Sequence, residues 1–300
     1  MDNTIRVFSG RAFSLEDINL IQWVRKAYPK LSRSELAATV CELLNWTTPA
    51  GKPKCKQCKE FMEQLESEHI IELPAKQISR AHNSPLKATV EFDTAEIRGA
   101  LADFGPIELT IAHPGDDLKR WGSYVDQYHM LGRKLVFGSQ LHYFIKSGDK
   151  ELGCLQFSAS TWALEERDKW IGWKAEDKKQ RLHLIVNNSR YLIFPWVSIR
   201  NLASKALAIA AKKIQKDWLR EYCYAPVMLE TFVDSEHFKG TCYKAANWVY
   251  LGQTKGRGRF DRERTARLSI KDIYAYPLQK DFKECLRGEK PYKVVDPDEQ

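Results

Sequence analysis

Residues 182–233 read LHLIVNNSRYLIFPWVSIRNLASKALAIAAKKIQKDWLREYCYAPVMLETFV. The run 182–195 is rich in β-branched and aromatic residues and predicts a strand, as does 226–233. Between them, 201–221 predicts a long helix. Leu207, Ala211, Ile214, Trp218 and Tyr222 form one stripe, and Lys205, Lys212, Lys213, Lys216 and Arg220 lie largely off it. Outward from this unit, strand patterns recur at 107–114, 135–147, 151–160, 247–253 and 272–278, with helices at 117–130 and 236–246. That order describes a mixed sheet covered by helices, hence α/β or α+β.

The N-terminal stretch has a different period. Residues 14–29 predict a helix with Ser14 as cap, Asp17 three positions on and Pro29 as the stop. Residues 32–46 predict a second, capped by Ser32 or Ser34, with Leu36, Val40, Leu43 and Leu44 on one face. Residues 54–69 predict a third that buries Phe61, Met62 and Leu65. This is the outline of a helix-turn-helix module. Lys52, Lys54, Lys56 and Lys59 gather where the third helix starts, the end that would enter a DNA groove. Residues 77–106 read as a linker followed by a short helix at 94–106. The expected domains are therefore a helix-turn-helix-like helical domain at 1–80 and a mixed α/β domain at 81–300.

The chain has 300 residues, 29% of them charged and 43% hydrophobic, as expected of a soluble globular protein with a sizeable core. A net charge of +8 and a pI near 9.0 make polyanions the first partner class to consider. The seven cysteines are odd in number and scattered, and no signal peptide is read before them, so a reduced cytoplasmic setting is expected. Cys55 and Cys58 form a CxxC, but two further ligands at zinc spacing are missing, so no metal is expected. No apolar run reaches membrane-spanning length, so no membrane partner is expected.

The segment FPWVSIRNLASKALAIAAKKI (194–214) and the element order around it resemble the GNAT acetyltransferase fold. In that fold a helix N-terminus holds the cofactor pyrophosphate through a Gln/Arg-x-x-Gly-x-Gly/Ala pattern. Arg200 matches its first position, while Ala203 and Lys205 stand at the glycines. YKAANW (243–248) resembles the fold's Tyr-x-x-x-Gly-Phe with Asn247 replacing the glycine, which implies Tyr243 as a general acid. The phrases RSELAATVCELLNW, QYHMLG, LGCLQFSASTWALEERDKWIGW, NNSRYLIFPWVSIRNLAS, DWLREYCYAPVMLETFVD and FKGTCYKAANWVYLGQTKGRGR resemble the DruA family of the Druantia anti-phage system. Relatives in that family occur with transposase domains of mobile elements. The resemblance implies a bacterial defence or mobile-element protein that handles DNA, with no established reaction and an unknown cofactor.

Glu230 and Asp234 end a strand and could serve as base or acceptor, with Cys242 or Tyr243 as nucleophile or acid beside them. Glu230 could equally be a buried partner of Arg190 or Arg200. His129, at a helix end stopped by Gly132, is a candidate base or helix cap. In ERDKWIGW, Arg167, Asp168, Trp170 and Trp173 could stack unpaired bases or form a small core of their own. Arg190 in NNSR suits a turn or a phosphate contact. The stretch 255–271 holds Lys255, Arg257, Arg259, Arg262, Arg264, Arg267 and Lys271 and is the strongest polyanion signal. No Walker loop, deaminase signature or Mg²⁺-spaced carboxylate set is present.

Three readings follow. The first is a defence protein binding nucleic acid, DNA ahead of RNA, through Lys52, Lys54, Lys56, Lys59, Arg190, Arg200, Lys255, Arg257, Arg259 and Arg262. The second is a transferase acting on a nucleobase or tRNA, with Tyr243, His129 and Glu230 as acid, base and orienting group. The third is an assembly adaptor for other defence proteins.

Overall fold

The computed structural model describes residues 4–47, 53–75, 92–133, 138–256 and 269–294. A hairpin that the sequence reading does not assign comes first: β1 (Thr4–Phe8) pairs antiparallel with β2 (Arg11–Ser14). Its turn needs two left-handed residues, and Ser9 (φ 48°) and Gly10 (φ 74°) supply them. Three helices follow as expected, α1 (Leu15–Ala27), α2 (Arg33–Leu43) and α3 (Cys55–Ser67). Ser14 with Asp17, and Ser32 with Glu35, form reciprocal capping boxes that satisfy the first free amides. Residues 44–54 link α2 to α3, a longer link than the three- or four-residue turn of a compact helix-turn-helix. The core of this part is aromatic: Phe13 and Phe61 stack at 4.2 Å, and Trp46 meets Phe13 edge-on at 5.0 Å.

The second part opens with β3 (Ile97–Gly99) and one 3₁₀ turn at Leu101–Asp103, where a short helix was expected. Tertiary pairing overrides the local pattern, because β3 runs parallel to β8 (Val197–Ile199), and Gly99 at φ 154° is incompatible with a helix. The remaining elements are β4 (Ile107–Ile111), α4 (Asp116–Tyr128), β5 (Gln140–Ser147), β6 (Lys150–Ala159), α5 (Glu165–Ile171), α6 (Ala175–Arg181) and β7 (Ile185–Ile193). After β8 come α7 (Leu202–Tyr222), β9 (Met228–Asp234), α8 (Thr241–Ala245), β10 (Val249–Gln253), β11 (Lys271–Pro277) and α9 (Phe282–Leu286).

Seven strands form one sheet in the order β10-β11-β9-β7-β6-β5-β4. Every neighbouring pair is antiparallel except β7 and β9, which run parallel across the α7 crossover. This is the mixed sheet covered by helices that the sequence order describes, with α7 between its two parallel strands. The expected stripe of α7 is buried in full, joined by Leu202, Ala206 and Ala210. From α4, Trp121 donates its indole N–H to the Tyr143 carbonyl at 3.1 Å.

The helical part packs on the sheet part through a box of rings. His183, just before β7, lies 5.3 Å from Trp23, 5.5 Å from Tyr28, 4.9 Å from Tyr224 and 5.3 Å from Tyr292. Beside it, Lys30 Nζ donates to the Arg220 carbonyl at 3.0 Å. Among the described residues no helix is long and apolar enough to cross a membrane.

Candidate functional site

Between β6 and β7 the chain leaves the sheet through α5 and α6, and one buried ion pair fixes this excursion. Arg167 on α5 and Glu230 on β9 both have fully buried side chains. A charge in an apolar strand run such as PVMLETFV must be paired and hydrogen-bonded to be tolerated. Arg167 Nη1 donates to Glu230 Oε2 at 3.1 Å, to Ser160 Oγ at 2.7 Å and to the Thr161 carbonyl at 2.8 Å. Its Nη2 donates to the Trp162 carbonyl at 3.2 Å and to Asp168 Oδ1 at 2.9 Å. Ser160 Oγ in turn donates to Glu230 Oε1 at 2.6 Å. Glu230 is therefore the partner of Arg167, and neither Arg190 nor Arg200 fills that role.

A cavity of about 1210 Å³ lies between this excursion, the helical part and the sheet. Phe232, Ile273 and Lys271 line its floor, since Ile273 pairs with Phe232, and Lys271 with Asp234, on the same face of β9 and β11. Trp162, Trp173, Lys169 and Lys178 line the wall from the excursion. Asp168 accepts from Lys178 Nζ at 2.5 Å and from Trp173 Nε1 at 3.2 Å, and Lys178 Nζ sits 4.8 Å from the Trp162 ring centre. Glu165 pairs with Lys169 and Lys255, which hold its carboxyl down at about 2.

Gly256 and Ser269 both line the cavity, as do Thr47 and Pro53. Between these flanking pairs the sequence runs through 257–268 and through 48–52. Arg257, Arg259 and Arg262 of the first, and Lys52 of the second, lie outside the described residues.

The other expected residues sit elsewhere. Successive residues of a strand point to opposite faces, so Thr231 faces away from Glu230. Tyr243 belongs to Thr231's face: its hydroxyl donates to Asn188 Oδ1 at 2.7 Å, and Thr231 Oγ1 donates to the Asn188 carbonyl at 3.0 Å. These three side chains bond to one another just beyond Asn187–Glu230, where the β7–β9 pairing ends and an open α/β sheet would take a ligand. Burial pushes the Tyr243 phenol well above its ordinary range. His129 Nδ1 accepts from the Leu131 amide at 3.1 Å, and burial, then the nearby Arg190, lower the imidazole to about 4.

Arg190 is buried and donates to the carbonyls of Gly132 at 2.8 Å and Ser189 at 2.5 Å. Arg200 and Lys205 are exposed at the start of α7. The structure therefore does not gather Tyr243, His129 and Glu230 into one site. Lys54 Nζ donates to the Ser9 carbonyl at 3.4 Å and Lys59 Nζ to Ser34 Oγ at 2.8 Å, while Lys56 is exposed. Asp234, Glu236 and His237 bring three ligand atoms within 4.8 Å of one another, with Glu236 and His237 exposed.

Sequence reasoning missed Ser160, Trp162 and Lys178. The signal available was the lone acid in PVMLETFV, which demands a buried cation from elsewhere in the chain.

The family described as Druantia protein DruA matches residues 64–270. No curated protein matches the sequence. Among solved structures, the microcin C7 self-immunity acetyltransferase is 10% identical, with 46% of this chain and 61% of that chain covered and a TM-score of 0.30. An N-acetyltransferase from Staphylococcus aureus is 10% identical over 58% of this chain and 99% of its own, at a TM-score of 0.37. An N-acyl amino acid synthase from uncultured soil microbes is 11% identical over 58% and 90%, at a TM-score of 0.37.

Proposed function

The chain belongs to the family described as Druantia protein DruA, and from that premise we propose that it is an anti-phage defence protein that binds nucleic acid, DNA ahead of RNA, at the cavity beneath α5. One observation carries the reading: Lys169, Lys178, Lys255 and Lys271 converge on a single cavity with Trp162 and Trp173. Glu165 is shared by Lys169 and Lys255, Asp168 by Arg167 and Lys178, and Glu42 and Glu166 also line the cavity, so its four lysines face four carboxylates and a nucleic acid has to draw lysines away from these partners. Lysines so placed neutralise phosphates and release counterions, which gives affinity without a sequence code.

Fluorescence anisotropy of the full chain with duplex DNA, single-stranded DNA and tRNA across a salt series tests this. Tight binding that weakens steeply with salt is expected, and Lys255→Glu and Lys271→Glu should each reduce the salt slope by about 1. Weak, salt-independent binding to all three would sink the reading. The strand order favours a second reading, a group transferase. A new nucleoside mass after incubation with nucleic acid, abolished by Tyr243→Phe in a chain that still folds, would establish it.

A further inference from the structure

We infer that the cavity takes an unpaired nucleobase of a single-stranded segment, stacked on the indoles of Trp162 and Trp173; this inference rests on the nucleic-acid reading. Both indoles are half-buried, line the cavity and are held in place rather than free. Arg167 grips the Trp162 carbonyl, and Lys178 lies over the Trp162 ring. Trp173 has its N–H on Asp168, and the Arg167 guanidinium lies 5.6 Å from its ring centre. One buried guanidinium therefore holds the Trp162 backbone and faces the Trp173 ring, Lys178 covers the Trp162 ring, and rings ordered in advance bind with little further entropic cost.

Asp168 satisfies the polar handle of Trp173, so what that side chain offers the cavity is apolar ring surface. Bases inside a duplex are stacked on one another and show only their edges in the grooves, so ring faces of this kind gain nothing from them. An unstacked base presents its π-face, and base–aromatic stacking tolerates any sequence. Lys178, beside Trp162, is placed to meet the phosphate of a stacked nucleotide. Asn45 and Gln253 line the same space and can bond base edges. The volume, about 1210 Å³, exceeds the roughly 300–1,000 Å³ of a typical small-ligand pocket, which leaves room for a base with its backbone.

The test compares fluorescein-labelled strands of equal length and phosphate number: oligo-dT, oligo-rU, an abasic DNA strand and a duplex. Oligo-dT should bind tighter than the abasic strand by about fivefold to a hundredfold per engaged base. Trp162→Ala and Trp173→Ala should erase that preference, weakening oligo-dT binding more than abasic binding, while Trp173→Phe keeps part of it. A dT-to-rU ratio above or below one separates DNA from RNA as the source of the base. Equal affinity for the dT and abasic strands overturns the stacking inference alone. Equal losses for both strands in the alanine variants, with thermal melting unchanged, also overturn it. Failure of every strand to bind brings down the nucleic-acid reading together with it.

Discussion

Removing either side of the Arg167–Glu230 pair is the sharpest test of how the cavity is built. Breaking a fully buried pair by deleting one partner costs about 3–5 kcal/mol, because the other charge is stranded. The two deletions are not equal here. Without Glu230, Arg167 Nη1 keeps Ser160 Oγ and the Thr161 carbonyl, and Nη2 keeps Asp168, so Glu230→Ala falls near about 3 kcal/mol. Without Arg167, Glu230 keeps only the Ser160 hydroxyl among its described donors, and the excursion loses its grip on residues 161 and 162, so Arg167→Ala falls near about 5 kcal/mol. Glu230→Gln keeps one acceptor oxygen for Arg167 and replaces the other with an NH2 donor, so the Ser160 hydroxyl must turn to accept, for about 1–2 kcal/mol.

A chain of 300 residues loses roughly 2 °C of Tm per kcal/mol, so the expected drops are about 10, 6 and 2–4 °C for Arg167→Ala, Glu230→Ala and Glu230→Gln in turn. Thermal melting followed by circular dichroism reads this order. Replacing both partners, as in Arg167→Met with Glu230→Leu, should recover most of the loss, since buried pairs exchange for apolar groups at little net cost. If Glu230→Ala melts with the wild type, or the double variant melts below both single ones, the argument that this pair holds the excursion is wrong.

Tyr243→Phe strands the buried Asn188 Oδ1 and should cost about 1–3 kcal/mol while leaving nucleic-acid affinity unchanged, read by melting and anisotropy together. Burial lowers His129 to about 4 and His183 to about 3, so the folded state holds both neutral while the unfolded chain protonates near 6.5. Their contribution is complete above pH 6.5 and is lost as pH falls toward 3. His183→Phe, at a buried imidazole enclosed by Trp23, Tyr28, Tyr224 and Tyr292, should flatten the Tm-versus-pH curve in that window. Ser32→Ala removes a capping box and should cost about 1 kcal/mol, again by melting.

Local rules made much of the fold legible. Ser14 with Asp17 marks the start of α1, and the period of Leu207, Ala211, Ile214 and Trp218 marks the buried face of α7, because both depend on neighbours within a few turns. The hairpin at 4–14 was equally local, yet its Ser9-Gly10 turn lacks the usual Asn-Gly or Asp-Gly signature. The site was legible only in fragments. Lys255, Lys271, Arg167 and Trp173 each stood out, but their meeting depends on the β9–β11 register and on where the excursion lands. Glu230 and Tyr243 looked like partners because they are close in sequence. Strand alternation puts them on opposite sides of the sheet.

The parallel pairing of β7 with β9 covers only Ile185–Met228, Val186–Leu229 and Asn187–Glu230. This seam joins a four-stranded antiparallel half to a three-stranded one, and the chain crosses between them through α7. Two halves, each internally laced, therefore share a short line of weakness, which Tyr243 ties from one face of the sheet and Arg167 from the other. Under load or partial denaturation the sheet should part along this line before either half frays. Amides at the seam should then exchange hydrogen ahead of those in the middle of β6, and opening there would split the floor of the cavity from the strands behind it.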